Sequence, residues 1–230
     1  MNDQARAMVF AKLPAVGCVK TRLAREVGEL AAARLYEAWV PPFVATLTSM
    51  APAVSVEVCL AVEPGVDHAH AAEQARQWLS TEAEVAFQCG EDLGLRLKHA
   101  FDRQFDRGWT QVLAIGSDSP QLSADIVREN LRLFENSDII LGPASDGGYY
   151  LLGLSRPPED MFETVRWSCS TTFEDTLRAA KRKGWRAGIG PESYDIDTLA
   201  DLERLLGEGE GDWSFLRRFL EESEGPKKAP

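Results

Sequence analysis

The sequence predicts a single α/β domain with a largely parallel sheet and helices on its faces. Three observations predict it. Short apolar runs alternate with stretches of helical periodicity for most of the 230 residues. No internal repeat or interior linker divides them. A content of 44% hydrophobic and 27% charged residues is a globular balance, at a length that can bury a sizeable core.

Taken in order, Met8–Ala11 reads as a first strand ending in the turn-like Leu13–Gly17. Leu30, Ala33, Leu35, Ala38 and Trp39 recur at helix spacing between Gly28 and Met50, and Pro41-Pro42 is expected to kink or break that helix. Val54–Val62 is a strand, His68–Leu79 a helix and Glu84–Gln88 a short strand. Leu93, Leu97, Phe101 and Phe105 mark an amphipathic helix. Gln111–Ile115 is a buried strand, Ser123–Phe134 a helix with Ser123 as N-cap, and Asp138–Leu141 and Tyr149–Leu154 two more strands. Thr171–Lys183 is a helix, Trp185–Ile189 a last strand and Thr198–Leu206 a helix. The domain is expected over residues 1–206. Residues 207–230 then form an acidic, glycine-rich linker (Gly207–Gly211), a short helix (Trp213–Glu222) and a frayed tail from Gly225.

With 25 basic and 36 acidic residues the chain carries a formal charge of −11, so its overall field repels nucleic acid and anionic membranes. No apolar run reaches the length of a membrane helix, and the first residues lack a signal-peptide layout, so the cytoplasm is expected. Cys18, Cys59, Cys89 and Cys169 are far apart and form no CxxC pair, which argues for reduced thiols over disulfide or zinc. Asp67-His-Ala-His70 places two histidines at i and i+2, off a common helix face, so they read as exposed residues at a helix start.

Ligands of such sheets bind beyond the carboxyl ends of the strands, and chemistry is sought in those loops. Residues 4–25 hold Arg6, Lys12, Lys20, Arg22 and Arg25 and no acid. Lys20-Thr-Arg22 follows the turn at Gly17 and precedes a helix, a setting that suits a multiply charged phosphate. A P-loop is excluded because Val19 stands where that motif needs glycine before the lysine. Asp118 follows a buried strand among Ser117, Ser119 and Pro120, where it can hold Mg²⁺ or Mn²⁺ or cap its own turn. Asp195 and Asp197 stand near the end of another predicted strand, and Asp197 can equally cap the next helix. Asp146-Gly147-Gly148 lets backbone approach a ligand, or is a plain turn. Trp167-Ser168 opens a hydroxyl-rich loop suited to an anionic acceptor, or to an N-cap. Gln88 to Arg96, with Gly94 between them, is a passage where a nucleobase edge can be read.

Together these segments resemble a known family. The motifs are Phe10-Ala-Lys-Leu-Pro-x-x-Gly17-x-x-Lys20-Thr-Arg-Leu-Ala24, Gln88-x-Gly-x-Asp-Leu-Gly-x-Arg96, Ile115-Gly-Ser-Asp-Ser-Pro120, Leu141–Leu154, Trp167-Ser168 and Asp195-Ile-Asp-Thr198. In this order they resemble the glycosyltransferase-like family related to phospholactate guanylyltransferase, within the nucleotide-diphospho-sugar transferase (GT-A) superfamily. The resemblance spans roughly residues 6–206. It implies a GT-A fold with a mixed, mainly parallel sheet, and a Mg²⁺-dependent nucleotide site. Lys12, Lys20 and Arg22 would hold donor phosphates. Asp118 would bind the metal, completed by Asp195 or Asp197. Asp146, Gly147, Gly148, Trp167 and Ser168 would line the acceptor side. The DxD signature of many GT-A glycosyltransferases is absent at the Asp118 loop, which reads Ser-Asp-Ser.

The expected activity is nucleotidyl transfer from an NTP to a small phosphorylated or carboxylated acceptor, with pyrophosphate released. An anionic nucleophile needs no general base, so positioning and charge neutralisation by Lys20, Arg22 and Asp118 would carry catalysis. The alternative is glycosyl transfer from an NDP-sugar, with Asp146 as the base. A nucleotide-binding protein without turnover is a third reading.

Overall fold

A computed structural model describes residues 4–63, 65–81, 83–208 and 213–223. Among these residues seven strands form one sheet: β1 (Ala5–Lys12), β2 (Val54–Ala61), β3 (Glu84–Phe87), β4 (Val112–Gly116), β5 (Ile139–Pro143), β6 (Tyr149–Leu154) and β7 (Ala187–Ile189). Their order is β3-β2-β1-β4-β6-β5-β7. β6 is antiparallel to β4 and β5, and the other neighbours pair parallel. The expected mixed, mainly parallel α/β architecture is the observed one.

Among the described residues eight α-helices cover the sheet: α1 (Thr21–Val27), α2 (Glu29–Thr48), α3 (His68–Leu79), α4 (Leu93–Asp106), α5 (Ala124–Arg132), α6 (Thr172–Arg182), α7 (Leu199–Glu208) and α8 (Ser214–Ser223). Alternation along the strands assigns their two faces. Ala7, Val9, Leu113, Ile115 and Ile140 pack with α2, α5 and α7. Met8, Val112, Ala114, Ile139 and Leu141 pack with α4 and α6.

Two elements differ from expectation. α2 runs unbroken through Pro41 and Pro42. Proline at 41 has no N–H to give the carbonyl one turn earlier. Trp78 Nε1 of α3 donates to that Glu37 carbonyl instead, at 2.9 Å. A separate helix, α1, also precedes α2, and Gly28 between them takes a left-handed φ of 90°. Beyond β7, α7 extends through Gly207 and Glu208. α8 returns onto α2, and Leu216 is fully buried in the core. The rest of the expected linker, residues 209–211, and the tail from Gly225 lie outside the described residues. Among the described residues no helix is long and apolar enough to cross a membrane.

β2 lies on one side of β1 and β4 on the other, so the chain reverses direction across the sheet between β1 and β4. The loops after these two strands diverge there and open a crevice at the carboxyl edge.

Candidate active site

The basic loop after β1 delivers Lys20 to this crevice. Lys20 is the N-cap of α1 with φ 49° and ψ 45°, a left-handed backbone that a non-glycine residue seldom adopts. Its side chain is 3% exposed, and Nζ lies 2.5 Å from Asp118 Oδ1 and 3.3 Å from Asp197 Oδ1. Arg22 Nη1 stands 3.3 Å from Asp197 Oδ2. Three distant segments of chain, after β1, β4 and β7, therefore meet at one ammonium.

α2 supplies the floor. Tyr36 OH accepts from Lys12 N at 3.1 Å and pairs with Ser117 Oγ at 2.9 Å. Trp39 Nε1 donates to Ser117 O, and its ring lies 5.4 Å from Lys20 Nζ. Burial first, then the Asp118 charge, pushes the Tyr36 phenol well above its ordinary range, so it remains a neutral strut. Tyr36 was not singled out in the sequence, because an aromatic on the apolar face of a helix reads as core.

Two clefts adjoin here. The larger, about 700 Å³, is walled by Lys12, Lys20, Arg22, Gln88, Arg96, Asp118 and Asp197, among others. The smaller, about 340 Å³, is walled by Asp146, Gly148, Asp195 and the 168–170 loop. Arg22, Leu93 and Ser168 belong to both walls. In the larger cleft Gln88 Nε2 is spent on Cys59 O at 2.8 Å, and Arg96 Nε on Gly90 O at 3.0 Å. These bonds hold the Gln88 side chain against β2 and the Arg96 side chain against the β3–α4 passage.

Other expected site residues have different places. Trp167 lines the larger cleft, not the smaller. Gly94 faces neither cleft, and an added Cβ would overlap the Trp167 indole. Gly147 turns the chain at φ 87°, and a Cβ there would strike the Ser170 carbonyl. Gly17 sits beside Glu29, outside both cleft walls. Asp195 and Asp197 lie not at a strand end but on the irregular segment between β7 and α7. The capping expected of Asp197 falls to its neighbours: Thr198 and Asp201 bond reciprocally, and Asp201 Oδ2 also accepts from Asp197 N. His68 and His70 are exposed at the start of α3, as expected.

Asp195 is the perturbed acid of the site. Burial, then the charge of Asp118, raises its carboxyl to about 6, although Ser119 Oγ donates to its Oδ1 at 2.5 Å. Asp146 adds to the rise, and Lys20 opposes it. Negative charge is thus in local excess around Asp118 and Asp195. Among the described residues no three His, Cys, Asp or Glu side chains form a metal cage. Mg²⁺ commonly takes only one or two carboxylates and completes its shell with water and substrate phosphate. Asp118 and Asp195 fit that mode. Asp197 fits it poorly, since both its oxygens face cations.

Residues 46–169, more than half of the chain, match the family described as "Uncharacterized protein conserved in bacteria (DUF2064)". No curated protein matches the chain. A crystal structure of a candidate nucleotide-diphospho-sugar transferase from Desulfovibrio desulfuricans G20 is 32% identical, with a TM-score of 0.84 and coverage of 97% of this chain and 96% of that one. CMP:2-keto-3-deoxy-manno-octonic acid synthetase, complexed with CTP, shares the fold at 9% identity and TM-score 0.55, over 89% and 98% of the two chains. So does 4-diphosphocytidyl-2C-methyl-D-erythritol synthase from Anaerococcus prevotii DSM 20548, at 10% identity and TM-score 0.56, over 90% and 99%. The motifs of the β1, β4 and β7 loops thus converge on one crevice in a nucleotide-diphospho-sugar transferase fold, and the chain belongs to the DUF2064 family.

Proposed function

We propose that the protein is a transferase that binds a nucleotide donor in the larger cleft and passes a group from it to a small acceptor in the smaller one. The observation that carries this reading is the buried Lys20 ammonium in the wall of the larger cleft, 2.5 Å from Asp118. A donor phosphate chain laid along this wall meets Lys12, Lys20 and Arg22, which neutralise the charge that builds on the leaving group. Gln88 and Arg96, fixed by their bonds to backbone carbonyls, form the wall for the base. Asp118 and Asp195 would hold Mg²⁺ or Mn²⁺, which when bound would draw further charge from the donor phosphates.

Three cations on one wall match a triphosphate, and this supports nucleotidyl transfer from an NTP with release of pyrophosphate. Glycosyl transfer from an NDP-sugar is the second reading. It is supported by the name of the 32% identical relative and by Asp146 on the acceptor side.

Thermal unfolding against NTPs and NDP-sugars, each with and without Mg²⁺, tests the proposal. A donor at 100 times its dissociation constant stabilises by about 2.7 kcal/mol. Lys20→Ala and Arg22→Ala should weaken the nucleotide at least about tenfold while leaving a nucleoside nearly unchanged. Equal losses for both ligands would separate the loop from the phosphates and overturn the reading.

A further inference from the structure

The smaller cleft has a chemistry of its own. Its wall includes the carboxylates of Asp146 and Asp195 and the hydroxyls of Ser168, Ser170 and Thr172. Among the described residues its one cation is Arg22, which is paired with Asp197 and 69% exposed. Arg166, close to Cys169 in the same loop, is held by Asp175 at 2.7 Å. Asp146 Oδ1 accepts from Gly148 N at 2.8 Å, and Asp195 Oδ1 accepts from Ser119 Oγ at 2.5 Å. Among the described residues neither Oδ2 has a hydrogen-bond partner.

With Asp195 turned to the metal, a phosphate or carboxylate entering such a cleft still meets the Asp146 carboxylate and, among the described residues, no cation other than Arg22, which the donor phosphates engage, and like charge at close range suppresses binding. Hydroxyl groups can donate to the carboxylates and accept from the Ser168 and Ser170 hydroxyls, while the Thr172 hydroxyl is spent on the Arg166 and Cys169 carbonyls. From this charge pattern we infer that the acceptor is an uncharged polyol, bound through its hydroxyls, with Asp146 as its general base. The inference rests on the transferase reading above and holds for either donor. It departs from the phosphorylated or carboxylated acceptor expected from the sequence. An alcohol, unlike an anion, must lose a proton to attack. The acceptor oxygen bonds to the donor's electrophilic atom, the α-phosphorus or the anomeric carbon. The bond from that atom to pyrophosphate or nucleoside diphosphate breaks, and the electron pair leaves with the phosphate. The hydroxyl proton passes to Asp146 Oδ2.

Cys169 is an exposed thiol on the wall of this cleft, and Cys18 is an exposed thiol in the basic loop. Alkylation of the intact protein by neutral iodoacetamide and anionic iodoacetate, read at each cysteine by peptide mass spectrometry, reports the local field without any substrate. Taking the ratio of the two reagents at each thiol cancels differences in thiol reactivity. Iodoacetate should be disfavoured at Cys169 relative to Cys18 by about three- to tenfold, and Asp146→Asn should close most of that gap. Equal or faster reaction of iodoacetate at Cys169 overturns the inference. In a second arm, the protein with donor is offered neutral polyols, their phosphate and carboxylate derivatives, and amines. Product from polyols supports it, and product from the anions or amines alone overturns it. A missing donor shift in thermal unfolding counts against the transferase reading, while alkylation still decides the charge preference of the cleft.

Discussion

The Trp167 indole occupies the space that a side chain at Gly94 would need. This contact joins the first turn of α4 to the 167–171 loop across the mouth of the larger cleft. The edge of Trp167 meets Phe162 with ring centroids 5.4 Å apart, so the indole is held from both sides.

Gly94→Ala should therefore destabilise the protein, although alanine favours a helix over glycine. The displaced ring should cost about 1–3 kcal/mol. Nucleotide affinity should fall as well, because Trp167 lines the cleft. Thermal melts with intrinsic tryptophan fluorescence check this. A higher melting temperature would mean that the indole does not rest on Gly94.

Asp195→Asn should stabilise the folded protein at neutral pH. The folded carboxyl sits at about 6, above its ordinary value of 3.8. The folded state therefore holds the proton more tightly, and stability falls as pH rises through the window between these values. Above pH 6 the charged Asp195 costs about 2–3 kcal/mol. The asparagine variant should gain that amount at pH 7.5 and nothing near pH 3, while losing Mg²⁺-dependent nucleotide binding. Urea unfolding at the two pH values measures the gain. No difference between them would rule out a strained, charged Asp195.

The bond from Trp78 Nε1 to the Glu37 carbonyl replaces the one that Pro41 cannot make. Trp78→Phe should cost about 1 kcal/mol in the natural chain. In a Pro41→Ala background residue 41 regains its N–H, and the same substitution should cost clearly less. A double-mutant cycle by chemical denaturation reads this coupling. The same cost in both backgrounds would show that the proline and the tryptophan act independently.

The strand and helix spacing was legible because burial on a sheet face or helix stripe leaves a local period in the chain. The Met8–Ala11 run, the Tyr149–Leu154 strand and the amphipathic α4 are all readable in this way. So was the charge contrast of residues 4–25. Local pattern misled at Pro41-Pro42, since the group that rescues the helix comes from Trp78 on another element. It was also silent on the insertion of β6 between β4 and β5, because strand neighbours are chosen by long-range pairing.

The site divides in the same way. Residue types and their order are properties of the chain, and they marked Lys20, Arg22, Asp118, Asp146, Asp195 and Asp197 as polar groups in loops after or near strands. Which of these oppose which is a matter of distance. Only the folded chain sets Lys20 between Asp118 and Asp197, turns Asp197 toward cations and leaves Asp195 buried beside Asp118. Only the folded chain places Trp167 on the larger cleft and leaves the smaller one with Asp146, Asp195 and, among the described residues, no cation but the Asp197-paired Arg22. Coulomb energies and desolvation depend on separation and burial across the fold, and neither quantity is written in the local order of residues.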